Sequence, residues 1–286
     1  MIDAIGVFDS GVGGLTVVEA LRQRLPHESI LYLGDTARLP YGSKSPATVA
    51  RYTERNVAFL VERGVKAVVV ACNTASALAL PELRLPVPTW GVIEPGAERA
   101  AAASRGRVGV IATAATVRSD AYALALHRLR PALEIISQPC PLFVPLVEEG
   151  WHDDPVTEQV AARYLEPLLD RRIDTLVLGC THYPLLRQVL ARVAGPEVLL
   201  VDSAAAVADA VAAGLGELGL AAAAGAAPSP GANGAEVAAG GRLAGGDPNG
   251  DGGLRLCVTD AGPSFRELAR RILGRPELEL EWVEVT

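Results

Sequence analysis

Cysteine is scarce in this chain and is nowhere paired as Cys-x-x-Cys. Cys72, Cys140, Cys180 and Cys257 are the only four in 286 residues. That spacing gives no support for a structural zinc site, and no metal is expected. Clustered positive charge is also missing, and the net charge is −7. Nucleic acid is therefore disfavoured as the main ligand, because phosphate recognition needs concentrated Lys and Arg. No apolar stretch approaches the length of a membrane span. Met1-Ile2-Asp3-Ala4 lacks the basic region of a secretory signal. A cytoplasmic protein with reduced thiols is expected. Gly11, Gly13 and Gly14 follow the first apolar run, but a G-x-G-x-x-G fingerprint would need glycine where Thr16 stands. No Gly-Lys-Ser/Thr follows either, which argues against a dinucleotide or P-loop site.

Half of the residues are hydrophobic and 21% are charged, enough for a substantial core. The length suits two ordinary domains or one large one. Two runs stand out. Val68-Val69-Val70-Ala71 stops at Cys72-Asn73-Thr74, and Leu176-Val177-Leu178-Gly179 stops at Cys180-Thr181-His182. A short, wholly apolar run of this kind reads as a buried parallel strand. Ligands of open α/β sheets bind beyond the carboxyl ends of such strands. Both thiols are thus placed where chemistry is done, facing each other across one substrate.

The pattern around them repeats. Ile5-Gly6-Val7-Phe8 precedes the Cys72 run, and Val108-Gly109-Val110-Ile111 precedes the Cys180 run. The chain reads as two similar α/β halves with mainly parallel sheets, related by a pseudo-twofold axis, with the site in the cleft between them. Further strands are expected at 29–33, 87–93, 133–137, 197–203, 254–260 and 278–285. A helix is expected from Pro46 to about Arg63, capped by Ser45 and ended by Gly64. Glu94-Pro95-Gly96 is expected to break the strand before it, and 139–150 to form a proline-studded loop. Residues 219–253, rich in Ala, Gly, Pro and Ser, read as a disordered insertion.

The glycine turn after Phe8 is expected to bring backbone N–H groups to an anionic ligand at a helix N-terminus. Asp9 would stand beside that ligand or, equally, cap the helix. The turn around Tyr41-Gly42 could present backbone donors or merely connect. Cys140 and Cys257 read as buried core residues. Glu148 and Glu149 read as surface charges unless the chain turns one inward. Cys180 with His182 could be a nucleophilic pair, but two opposed thiols suggest another task. One thiolate can remove a proton from a carbon and the other thiol can return one to the opposite face, inverting the centre without a cofactor. Each cysteine is expected to precede a helix, which would lower its pKa. Because an amino-acid α-proton is far less acidic than a thiol, the site needs preorganised donors. Asn73, Thr74, Thr113, Thr116 and Thr181 are suited to that.

Together, Gly6–Leu15, Ala71-Cys72-Asn73-Thr74-Ala75-Ser76, Gly91-Val92-Ile93-Glu94-Pro95 and Leu178-Gly179-Cys180-Thr181-His182-Tyr183-Pro184 resemble bacterial glutamate racemase. The resemblance spans almost the whole chain in order, apart from the 219–253 segment. It implies cofactor-independent interconversion of L- and D-glutamate for peptidoglycan synthesis. It implies that Cys72 serves the D-isomer face, assisted by Asp9, and that Cys180 serves the L-isomer face, assisted by His182 with Glu148 nearby. The substrate would be held by Asp9, Ser10, Tyr41, Gly42, Asn73, Thr74, Thr181 and His182. It implies two domains, 1–95 with 204–286, and 96–203. Homodimers are common in the family, and some members bind and inhibit DNA gyrase, a partner these residues do not reveal. Aspartate racemase shares the fold and the thiol pair, but His182, where those proteins tend to carry glutamate, favours glutamate. A binding protein and a thiol redox protein are the rivals from other classes. The latter needs a Cys72–Cys180 disulfide, and thiols spaced around an amino acid stand too far apart for one.

Overall fold

The computed structural model describes residues 3–222 and 253–286. The expected insertion at 219–253 lies outside these except for 219–222 and 253. Ten strands are present among the described residues. They are β1 (Ala4–Asp9), β2 (Ser29–Gly34), β3 (Ala67–Val70), β4 (Thr89–Gly91), β5 (Arg107–Ala112), β6 (Glu134–Pro139), β7 (Thr175–Gly179), β8 (Leu199–Asp202), β9 (Leu254–Val258) and β10 (Leu280–Trp282). They form two sheets, ordered β10-β9-β2-β1-β3-β4 and β6-β5-β7-β8. Every pairing is parallel.

The apolar runs explain this arrangement. A parallel strand is covered by helices on both faces, so both of its alternating side-chain sets must be apolar. In β3, Ala67 and Val69 face one core with helices Leu15–Arg24, Ala204–Glu217 and Pro263–Leu273. Val68 and Val70 face the other, with Pro46–Glu62 and Asn73–Leu78. In β7, Leu176 and Leu178 pack toward Phe143–Glu148, Pro155–Leu169 and Arg187–Ala194. Val177 packs toward Ile93–Ala103 and Ala121–Leu129. Each fully buried Val or Leu contributes about 1.5–3 kcal/mol of transfer free energy.

The strand orders reveal the repeat. β1 lies between β2 and β3, as β5 lies between β6 and β7. Each sheet therefore reverses its winding beside its first strand, the point where α/β sheets leave a crevice. The register sets Phe8 beside Val70 and Ala112 beside Gly179. Asp9 and Cys72 thus leave one crevice, and Thr113 and Cys180 leave the other.

Several elements differ from expectation. β4, β8 and β10 are shorter than the apolar runs that announced them. The strand does end before Glu94-Pro95-Gly96, at Gly91, and the triplet lies in the first turn of the helix Ile93–Ala103. Residues 143–148 likewise form a helix, with Pro145 near its start. Proline is tolerated in a first turn because an N–H there has no partner in the helix. Ser45 does cap the helix at Pro46, accepting from the Thr48 N–H.

Candidate active site

Cys72 stands at the end of β3, in the N-cap position of the short helix Asn73–Leu78. Its thiol donates to Ser10 Oγ at 3.4 Å. Burial pushes this thiol up to about 12, with Asp9 and Cys180 adding to the effect and Ser10 opposing it. The helix of six residues does not offset desolvation, so the expected lowering is not met at Cys72. Cys180 directly follows β7, and the tight turn Tyr183–Leu186 lies between it and Arg187–Ala194. The expected helix does not start directly behind it.

Cys180 has a different set of neighbours. Its Sγ lies 4.0 Å from His182 Nδ1. The opposite ring nitrogen, Nε2, is 2.6 Å from Glu148 Oε1. Burial opposes a charged imidazole here, but the hydrogen bonds and charges of Cys180 and Glu148 outweigh it and raise His182 to about 10. Glu148 closes the helix Phe143–Glu148, which turns it inward; Glu149 follows as the exposed residue.

Asp9 is fully buried. Its Oδ2 accepts from the N–H groups of Gly11 and Gly14, each at 3.0 Å. Its Oδ1 accepts from Thr181 Oγ1 at 3.2 Å. The glycine turn therefore spends these two donors on the chain's own carboxylate rather than on a ligand. Burial raises the Asp9 pKa, against the lowering effect of His182 and these hydrogen bonds. Gly13 allows the turn to press on the opposite sheet's loop. A Cβ there would stand 2.6 Å from Thr181 Oγ1 and 2.7 Å from His182 Nδ1.

The two crevices face one another across a cavity of about 20 Å³. Ser10, Tyr41, Gly42, Cys72, Asn73, Thr74, Thr113, Cys180, Thr181 and His182 line it. Asp9, Thr116 and Glu148 stand one layer behind. Thr74, Thr113 and Thr116 form a closed triangle of hydroxyls, with Oγ1 separations of 3.0, 3.2 and 3.0 Å. Gly42 packs directly on Thr113. The Tyr41 hydroxyl points away, to Asp35 and Asn56, so Tyr41 offers the cavity its ring and backbone. Leu39, Pro40 and Val144 also line it. Leu39 and Pro40 sit next to Tyr41 in sequence, but nothing local marks Val144, which only the helix Phe143–Glu148 brings in.

That volume is about one water's, smaller than an amino acid. Larger open grooves, of about 520 and 500 Å³, lie around Arg105 and Asp174 at the starts of the second sheet's strands. They hold no thiol and lie at the wrong strand ends for an α/β site. Among the described residues, no cluster of His, Cys, Asp and Glu is arranged to hold a metal ion, and no helix is long and apolar enough to cross a membrane.

Residues 15–211 match the family described as Asp/Glu/Hydantoin racemase. A Geobacter metallireducens protein named glutamate racemase is 58% identical over 204 residues, covering 70% of this chain and 76% of that one. The glutamate racemase of Neisseria meningitidis serogroup A is 44% identical over 285 residues, covering 98% and 96%. The crystal structure of glutamate racemase from Francisella tularensis, in complex with D-glutamate, superposes with a TM-score of 0.83 at 36% identity. The match covers 99% of this chain and 97% of that one.

Proposed function

The chain belongs to the Asp/Glu/Hydantoin racemase family, and from that premise we propose that it interconverts L- and D-glutamate by a two-thiol acid/base mechanism. The observation that carries the proposal is the placement of Cys72 and Cys180 at equivalent strand ends on one cavity. The two sulfurs stand among different neighbours, and a two-base reaction needs one acid and one base. Cys72 holds its proton. Cys180 has an imidazolium beside it, paired in turn with Glu148.

In this form the enzyme takes the α-proton of L-glutamate onto Cys180 sulfur. The electron pair left on the α-carbon is stabilised through the α-carboxylate, held by donors of the cavity wall. Cys72 then delivers its proton to the opposite face, giving D-glutamate. The reverse direction starts with the thiolate on Cys72 and the proton on Cys180. Asp9 assists Cys72, and His182 assists Cys180. Ser10, Tyr41, Gly42, Asn73, Thr74, Thr113 and Thr181 hold the substrate, with Thr116 fixing the hydroxyl triangle.

The same reading gives a cytoplasmic homodimer that supplies D-glutamate for peptidoglycan. It divides the chain into 1–95 with 204–286, and 96–203. The test is proton exchange in D2O with each enantiomer, on wild type, Cys72→Ser and Cys180→Ser. Deuterium should enter the α-position of the product, and both variants should lose racemisation. Racemisation that survives loss of either thiol would end the two-thiol mechanism. Exchange with aspartate but not glutamate would keep the mechanism and replace the substrate.

A further inference from the structure

Asn73 is 2% exposed and lines the cavity. Its Oδ1 accepts a hydrogen bond from the Tyr122 hydroxyl at 2.7 Å. Its Nδ2 is buried and has no hydrogen-bond partner among the described residues. A buried amide donor without an acceptor is destabilising unless a ligand completes it. An acceptor-rich group such as a substrate carboxylate would do so.

Which end of the amide faces the cavity depends on Tyr122. A phenol can donate or accept, so by itself it could hold either end of Asn73. Ser203 packs beside the Tyr122 hydroxyl against Gly96, placed to donate to the phenol oxygen. With Ser203 donating into the phenol oxygen, the phenol proton goes to Asn73 Oδ1 and the NH₂ is left for the cavity. Reversing the amide would present an oxygen to a carboxylate and repel it.

The placement of Tyr122 makes this order rigid. It lies on helix Ala121–Leu129 and is 3% exposed. A Cβ on Gly179 would stand 3.0 Å from Tyr122 Cε2, and one on Gly96 would stand 3.3 Å from its hydroxyl oxygen. The ring is thus wedged beside the residue that precedes Cys180, while its hydroxyl reaches the residue that follows Cys72.

We infer that Tyr122 is a positioning residue: with Ser203 behind it, it fixes the Asn73 amide so that its NH₂ group is presented to a substrate carboxylate. The inference rests on the glutamate racemase reading. It acts through Asn73 and not on the reacting carbon.

The experiment is a double-mutant cycle on kcat and KM for glutamate, using wild type, Tyr122→Phe, Asn73→Ala and the double variant, with thermal melting as the check of folding. Asn73→Ala should lower kcat/KM by about ten- to a hundredfold, the range for a hydrogen bond to a charged group. Tyr122→Phe should lower it by about three- to tenfold, mainly through KM. In the Asn73→Ala background the same change should be silent to within about 1.5-fold, because its only route has been removed. Equal losses in both backgrounds would show that the ring acts by packing and would overturn the inference. A silent Tyr122→Phe in the presence of Asn73 would do the same. Should Tyr122→Phe fail to fold, Ser203→Ala removes the donor into the phenol and must show the same dependence on Asn73. Absence of glutamate racemisation in wild type would remove the underlying reading, a result distinct from a cycle that is merely additive.

Discussion

Glu148→Gln isolates the charge that stands behind the Cys180 arm. The substitution keeps the shape of the side chain and an oxygen that can face His182, but removes the negative charge now 2.6 Å from Nε2. His182 is raised to about 10. A cation that loses an anionic neighbour gives up its proton more readily, so its pKa must fall. For charges about 4 Å apart at an effective dielectric near 20, the attraction is about 4 kcal/mol. That sets a ceiling of roughly three pKa units. Glu148 retains 23% side-chain exposure, and solvent screening reduces the expected fall to about one to two units. In the proposed mechanism a cationic His182 assists Cys180, so the alkaline limb of activity should follow it down. The assay is kcat/KM against pH, followed by the change in optical rotation or circular dichroism. Enantiomers have an equilibrium constant of unity, so kcat/KM must fall equally in both directions, which provides an internal control. An alkaline limb within about 0.3 units of wild type would refute the assignment of His182 as the cation that assists Cys180.

Other perturbations test other parts of the structure. Folding stability should be sensitive to His182. Its folded pKa is raised, so its contribution is fully present below about 6.5 and is lost as pH rises through about 10. Urea unfolding at pH 7 and pH 10.5 should therefore show a larger loss in wild type than in Glu148→Gln. Gly13→Ala places a Cβ 2.6 Å from Thr181 Oγ1 and 2.7 Å from His182 Nδ1. It should lower kcat/KM by about a hundredfold, since misplacing a catalytic group by about 1 Å costs that much, and unchanged steady-state kinetics would contradict the packed turn. Lys66 Nζ is 2.6 Å from Glu28 Oε2, both side chains being over nine-tenths buried. Lys66→Ala should destabilise by about 3–5 kcal/mol in denaturant unfolding because it strands Glu28, and a loss below about 1 kcal/mol would show that the pair behaves as a surface bridge. Leu165→Ala, in the core of the second half, should cost about 2–5 kcal/mol in the same measurement.

The amino-acid sequence by itself determined the buried parallel strands, the two thiols at their ends and the repeat that joins them. It also determined the Ser45-Pro46 helix start. These are local properties: an apolar run needs helices on both faces wherever the chain goes, and a cap is decided within a few residues. The core roles of Cys140 and Cys257 were legible for the same reason. Tertiary structure alone decided what stands beside each thiol. Asp9 meets Thr181, which is 172 positions away, Glu148 meets His182 across 34, and Tyr122 meets Asn73 across 49. No local pattern contains such pairings, because they depend on how strand crossovers bring separate loops to one end of two sheets. The protonation of the site belongs to the same level. From sequence, both cysteines read as thiols before helices, with lowered pKa values. In the folded chain, burial beside Asp9 keeps the proton on Cys72, and the imidazole–carboxylate pair places a cation at Cys180. The difference between two similar motifs arises from desolvation and neighbouring charge, which the chain acquires only when both halves close on one cavity.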